Sequence, residues 1–224
     1  MNTNKQQDKI RGSLVGGAVG DALGYPVEFM SHREIINKYG HKGITNYALH
    51  HGKALVSDDT QMTMYTANSL LFAYTRMMAR GIGAPLYVYV AKSYWEWYCT
   101  QYCKKVDELK ENLCSGFLTC WISNIPEMYA PRAPGNTCLN AIKHGADGTV
   151  ENPINDSKGC GGVMRVAPVG LFGSAVRWEP EKVMEAGADI AAITHGHELG
   201  YIPAAALAYI INKIVAKPEE PLKN

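Results

Sequence analysis

An all-α fold is predicted for this chain, on three observations. Apolar residues recur at helical spacing after Ser57-Asp58-Asp59-Thr60, namely Ala67, Leu70, Leu71, Tyr74 and Met78. No strand-like alternation of useful length occurs, and no internal repeat is present. The 224 residues suffice for a sizeable core, with 19% charged and 46% hydrophobic residues. A formal net charge of +1 gives no electrostatic case for nucleic acid or an anionic membrane as partner. The long apolar run from Leu199 to Ile211 reads as a buried helix, too short to span a bilayer. The polar stretch Met1 to Lys9 does not read as a signal peptide. The six cysteines, Cys99, Cys103, Cys114, Cys120, Cys138 and Cys160, contain no Cys-x-x-Cys pair, which favours reduced thiols and a cytoplasmic location.

Taken in order, residues 8–23 form a helix dense in glycine (Gly12, Gly16, Gly17, Gly20), followed by Gly24. Each interior glycine costs about 1 kcal/mol against alanine. Such density therefore implies close helix packing or approach of the backbone to a ligand. Pro26 then fixes a turn, placing Glu28 on a structured loop. Ser31 and Glu34 form a capping box for a short helix to Lys38. Residues 39–56 read as a loop, with His41, His50 and His51 either exposed or available as ligands. Helices follow from Thr60 to Ala79 and from Pro85 to Gln101, the second rich in Tyr and Trp. Residues 107–130 are helical in part, and a helix reaches about His144 after the turn at 133–137. Past the 145–158 loop, glycines 159, 161 and 162 open an apolar helix through Val163, Val166, Ala167 and Leu171. Glu179–Thr194 and Leu199–Ala216 are the last two helices, with Pro203 placed in the first turn of the second. Lys217–Asn224 is a polar tail.

Two stretches carry chemistry. In Ser57-Asp58-Asp59-Thr60, Ser57 or Asp58 can cap the helix, with the carboxylates at its positive end. The same two hydroxyls and two carboxylates also make an all-oxygen cluster suited to Mg2+, Mn2+ or Ca2+ rather than zinc. In Ser157-Lys158-Gly159-Cys160-Gly161-Gly162-Val163-Met164-Arg165, bare N–H groups at a helix start suit a phosphate or pyrophosphate, while tight packing explains the glycines equally well.

Four segments in register resemble the ADP-ribosylglycohydrolase family: Gly16 to Gly24 with Glu28, Ser57 to Thr60, Asn155 to Arg165, and Thr194-His195-Gly196-His197. The resemblance spans essentially the whole chain and implies a single domain over 1–224, a compact orthogonal multi-helix bundle of that family's type. It implies a binuclear Mg2+ (or Mn2+) centre that cleaves the glycosidic bond between ADP-ribose and a protein side chain or small acceptor. By the same resemblance Ser57, Asp58 and Asp59 are metal ligands, and Glu28 and Asp59 are catalytic. Ser157, Gly159, Cys160, Gly161, Gly162, Met164 and His195 would contact substrate. Serine replaces the threonine many members carry at Ser57 and keeps the hydroxyl.

The family's Asp-x-Asp-Ser/Thr metal motif is missing, since no aspartate follows Asp189. The expectation is therefore a C-terminally truncated fold with an incomplete second metal position and impaired hydrolysis. Apolar surface left uncovered would pair in a homo-oligomer or with a C-terminal fragment. The alternative is a non-catalytic ADP-ribose-binding or structural relative.

Overall fold

The computed structural model describes residues 3–113 and 117–217. Along the chain run α1 (Thr3–Gly24), α2 (His32–Tyr39), the two-residue strands β1 (Leu49–His50) and β2 (Lys53–Ala54), α3 (Asp58–Arg80) and α4 (Leu86–Thr100). These are followed by α5 (Val106–Asn112), α6 (Asn136–Lys143), α7 (Ala167–Ala175), α8 (Pro180–Ala192) and α9 (Glu198–Ala216). Short 3-10 segments cover Tyr25–Val27, Trp121–Asn124, Pro126–Met128 and Cys160–Arg165. The fold is helical, as the sequence pattern requires. Cys114 and the tail beyond Lys217 lie outside the described residues.

The core forms where α3 packs on α4 and where α9 packs on α7 and α8. Met62, Tyr65 and Leu70 of α3 meet Val90, Tyr94 and Trp97 of α4 within it, joined by Val183, Ile190, Ala204 and Ala208. The aromatic residues of α4 are thus mainly core. Glu96, also buried, accepts from the N–H groups of Thr119 (2.6 Å) and Cys120 (3.2 Å) and from the Ser123 hydroxyl (2.9 Å). These donors compensate the buried carboxylate and pin the segment after residue 117 onto α4.

Four local features differ from the sequence expectation. The loop at 39–56 holds the β1–β2 hairpin, with Leu49 opposite Ala54. His51 (φ 49°) and Gly52 (φ 78°) both take positive φ, the geometry that a two-residue hairpin turn needs. The buried face of α3 runs through Met62, Tyr65, Thr66, Ser69, Leu70 and Ala73. Of the expected apolar stripe only Leu70 is buried, whereas Leu71 is 57% and Met78 67% exposed. Hydrogen bonding compensates the burial of Thr66, whose Oγ1 lies 2.6 Å from the Tyr94 hydroxyl and 3.0 Å from the Met62 carbonyl, whereas the buried Ser69 hydroxyl has no partner among the described residues. The glycines at 159–162 open a 3-10 segment rather than an α-helix. Lastly, the apolar run after Leu199 belongs to a 19-residue helix with Pro203 in its interior. By length and composition α9 could cross a membrane; here it lies along α7 and α8 with Gly200, Ala204 and Ala208 buried.

Polar contacts tie both ends of helix α1 to the rest of the fold. Ala22 is its one buried residue among those described. Lys9 Nζ donates to the carbonyls of Ile214 (2.9 Å) and Lys217 (3.2 Å), serving the open C-terminal end of α9. Asp21, near the other end of α1, reaches α3.

Candidate active site

The start of α3 organises the site. Ser57 is its N-cap, with Oγ accepting from the Asp59 N–H at 3.2 Å. Asp21 adds a second cap from outside the helix. Its carboxylate accepts from the Ser57 N–H (3.0 and 2.9 Å to the two oxygens), from the Thr60 N–H (3.2 Å) and from the Thr60 hydroxyl. A carboxylate here meets both the unpaired N–H groups and the positive end of the helix dipole. Asp58 is turned inward: its N–H donates to the Arg132 carbonyl (2.8 Å) and its Oδ2 accepts from the Gly135 N–H (2.9 Å). That contact joins α3 to the turn that starts α6.

Four carboxylates therefore crowd together. Burial pushes Asp58 up to about 7, opposed by the Gly135 N–H and reinforced by Asp59 and Glu28. Burial also pushes Asp59 up to about 6, with Asp21 and Glu28 adding to it. Glu28, the residue ending the 3-10 turn after α1, is raised by burial and then by Asp21. Asp58, Asp59 and Glu28, whose ionisation is opposed by burial first and by neighbouring acids second, are chemically suited to a cation or a proton.

A cleft of about 620 Å³ opens in front of this cluster. One side is built from Gly17, Gly20, Asp21 and Gly24 of α1 with Glu28; Ser57, Asp59 and Thr60 form the floor; Cys160 and Met164 stand on the far side. The Thr63 hydroxyl ties floor to far side by donating to the Met164 carbonyl at 3.1 Å. A Cβ on Gly17, Gly20 or Gly24 would meet no neighbour within 4 Å, so close helix packing does not explain these glycines. Their common property is that they bare the backbone of α1 to the cleft. A larger cavity of about 900 Å³ beside Trp95 and His144 contains none of the residues that the sequence marks. Size therefore points one way and chemistry the other; the acids make the smaller cleft the candidate.

The remaining candidates lie behind Cys160. Asn155 Oδ1 accepts from the N–H groups of Ser157 (3.0 Å) and Gly196 (3.1 Å), while its Nδ2 donates to the Thr194 carbonyl (2.8 Å). This one side chain holds the glycine segment against the start of the last helix. Gly161 and Gly162 have a packing reason: a Cβ on Gly161 would sit 2.8 Å from His195 Cε1, and one on Gly162 would sit 2.8 Å from the Gly200 carbonyl. His195 is buried beneath the segment, and its Nε2 would lie 3.2 Å from a Cβ on Gly159. Burial and the nearby Arg165 hold its pKa down to about 4, so the ring is neutral.

Glu28, Ser57, Asp59, Cys160 and Met164 thus share one cleft, with Asp58 directly behind its floor. Ser157, Gly159, Gly161, Gly162 and His195 are not among the residues lining it; Gly159 is exposed beside Cys160, while Gly162 and His195 are buried beneath the segment. Sequence reasoning assigned no role to Asp21, Asn155 or Arg165. All three stand in the quoted motifs, but their partners are distant in sequence. The oxygens of Ser57, Asp58 and Asp59 are the donor type a hard cation takes. Among the described residues, however, no three His, Cys, Asp or Glu side chains are grouped to hold one ion.

The structure is helical, with an acid-floored cleft. The ADP-ribosylglycohydrolase family model matches residues 2–224, and the chain belongs to that family. It is similar to the ADP-ribosyl-[dinitrogen reductase] glycohydrolase of Rhodospirillum rubrum, 27% identical over 214 residues. That match takes in 93% of this chain and 58% of the relative's length.

Proposed function

We propose that this chain binds ADP-ribose in the acidic cleft and hydrolyses the glycosidic bond joining it to a protein side chain or small acceptor. The observation that carries this reading is the single cleft shared by Glu28, Ser57, Asp59, Cys160 and Met164. Family membership and the relative's printed activity support the substrate class. Glycosidic cleavage passes through an oxocarbenium-like transition state, which neighbouring carboxylates stabilise. Glu28 takes the proton of the attacking water as its oxygen bonds to the anomeric carbon. The bonding pair leaves with the acceptor, which takes up the proton that Glu28 removed from the water.

Ser57, Asp58 and Asp59 are the side chains proposed to hold Mg2+ or Mn2+. When bound, the ion supplies positive charge that neutralises the acids and orients ribose hydroxyls and water. Mg2+ takes about six oxygens, so these three residues alone hold it weakly. The second reading, an ADP-ribose-binding relative with little turnover, follows if these three oxygen donors do not hold the ion. The partner is in either case an ADP-ribosyl compound, and the exposed apolar side chains Leu71, Met77 and Met78 support a further proposal of self-association or of pairing with a complementary fragment.

Release of ADP-ribose from ADP-ribosylated protein, with and without Mg2+, is the deciding experiment. The first reading expects Mg2+-dependent release that Asp58→Ala and Glu28→Ala abolish. Binding of ADP-ribose by calorimetry without release supports the second reading. Neither binding nor release refutes both.

A further inference from the structure

Arg165 is fully buried and has no carboxylate among its hydrogen-bond partners in the described residues. Its Nη2 donates to the carbonyls of Ile190 (3.1 Å) and Ala191 (3.4 Å), at the C-terminal end of α8, and to Thr194 Oγ1 (2.7 Å). Its guanidinium lies 4.5 Å over the ring of Tyr94. The negative end of a helix and an aromatic face thus take the place of an acid.

A guanidinium has donors and no acceptor, so Thr194 Oγ1 must accept in that contact. The threonine's own proton is then free to point elsewhere. His195 Nδ1 lies 2.8 Å away, and Cys138 Sγ, a poorer acceptor, lies 4.0 Å away. Donation to Nδ1 makes that nitrogen the acceptor and leaves the imidazole proton on Nε2. Nε2 has no hydrogen-bond partner among the described residues and borders the backbone of Gly159 and Gly161.

We propose that Arg165 and Thr194 are positioning residues that fix His195 as its neutral Nε2–H tautomer. The ring then presents one free donor to an oxygen of a ligand seated on the Gly159–Gly161 segment. Burial and the Arg165 charge, which hold the ring neutral, act in the same direction. The ligand's identity rests on the function proposed above; the tautomer does not.

The test is the tautomer of His195, read from its two ring nitrogens by 15N NMR at neutral pH in ligand-free protein. Wild type is expected to show Nε2–H alone, Thr194→Val a mixture, and Thr194→Ser the wild-type pattern. An Nδ1–H ring in wild type, or an unchanged ring in Thr194→Val, overturns the proposal. If Thr194→Val does not fold, the wild-type spectrum decides by itself. Titration with ADP-ribose supplies an independent arm. Thr194→Val is expected to weaken binding about tenfold, the worth of one charge-assisted hydrogen bond, and Thr194→Ser to restore it. ADP-ribose binding equally well to all three overturns the proposed donor role. Failure of wild type to bind ADP-ribose overturns the proposed function instead, and the spectrum still settles the tautomer.

Discussion

Replacing Asp21 by alanine tests how the acidic cleft is held together. The substitution leaves the N–H groups of Ser57 and Thr60 without their acceptor, and Ser57 is 2% exposed, so water reaches its N–H poorly. Loss of a helix cap costs about 0.5–2 kcal/mol. A hydrogen bond to a charged acceptor is worth about 1.5–3 kcal/mol. Asp21 is only half-buried, which admits some water and brings the expected loss to about 2–4 kcal/mol. With about 2–4 °C per kcal/mol for a domain of this size, Tm falls by about 5–15 °C. Thermal unfolding followed by circular dichroism measures it, with Asp8→Ala, an exposed acid on the same helix, as control. A drop no larger than that of the control would refute the view that Asp21 tethers α1 to α3.

Two further outcomes follow from buried geometry and charge. Gly162→Ala places a methyl group 2.8 Å from the Gly200 carbonyl and 3.0 Å from Ala191 Cβ; overpacking of this kind costs about 1–3 kcal/mol, measurable by urea unfolding. For His195, whose folded pKa of about 4 lies below the ordinary 6.5, the unfolded chain binds more protons between these values. The stability from burying the neutral ring is full above pH 6.5 and is lost as pH falls towards 4. Wild type is therefore expected to lose stability relative to His195→Gln on acidification across that window; equal losses in both proteins would contradict it.

Local signals carried much of the fold. The Ser31–Glu34 box and the Ser57 cap are short-range chemistry, and both stand where the residues require. The hairpin at Leu49–Ala54 is not legible as strands in the sequence because two-residue strands leave no alternation, although the His-Gly turn marks it. The inward face of α3 is hard to read from sequence because Thr66 and Ser69 look solvent-facing, and the Tyr94 hydroxyl that partners Thr66 lies 28 positions away. Site assembly was legible only in its pieces. Asp21 meets Ser57 across 36 positions, and Arg165 meets Thr194 across 29, and no local pattern announces either contact. Glycines 161 and 162 fit an anion loop and a tight packing layer equally well in sequence; only coordinates reveal the His195 ring and Gly200 carbonyl against them.

The central claim is that the acids of α3 and the segment around Cys160 face one ligand. Cys160 is a free, exposed thiol on the far side of the cleft from Asp59, so its alkylation rate reports occupancy. Peptide-resolved labelling is expected to show ADP-ribose slowing modification of Cys160 in wild type and failing to do so in Asp59→Ala. ADP-ribose that binds yet leaves the wild-type rate unchanged would place the ligand elsewhere and contradict the claim.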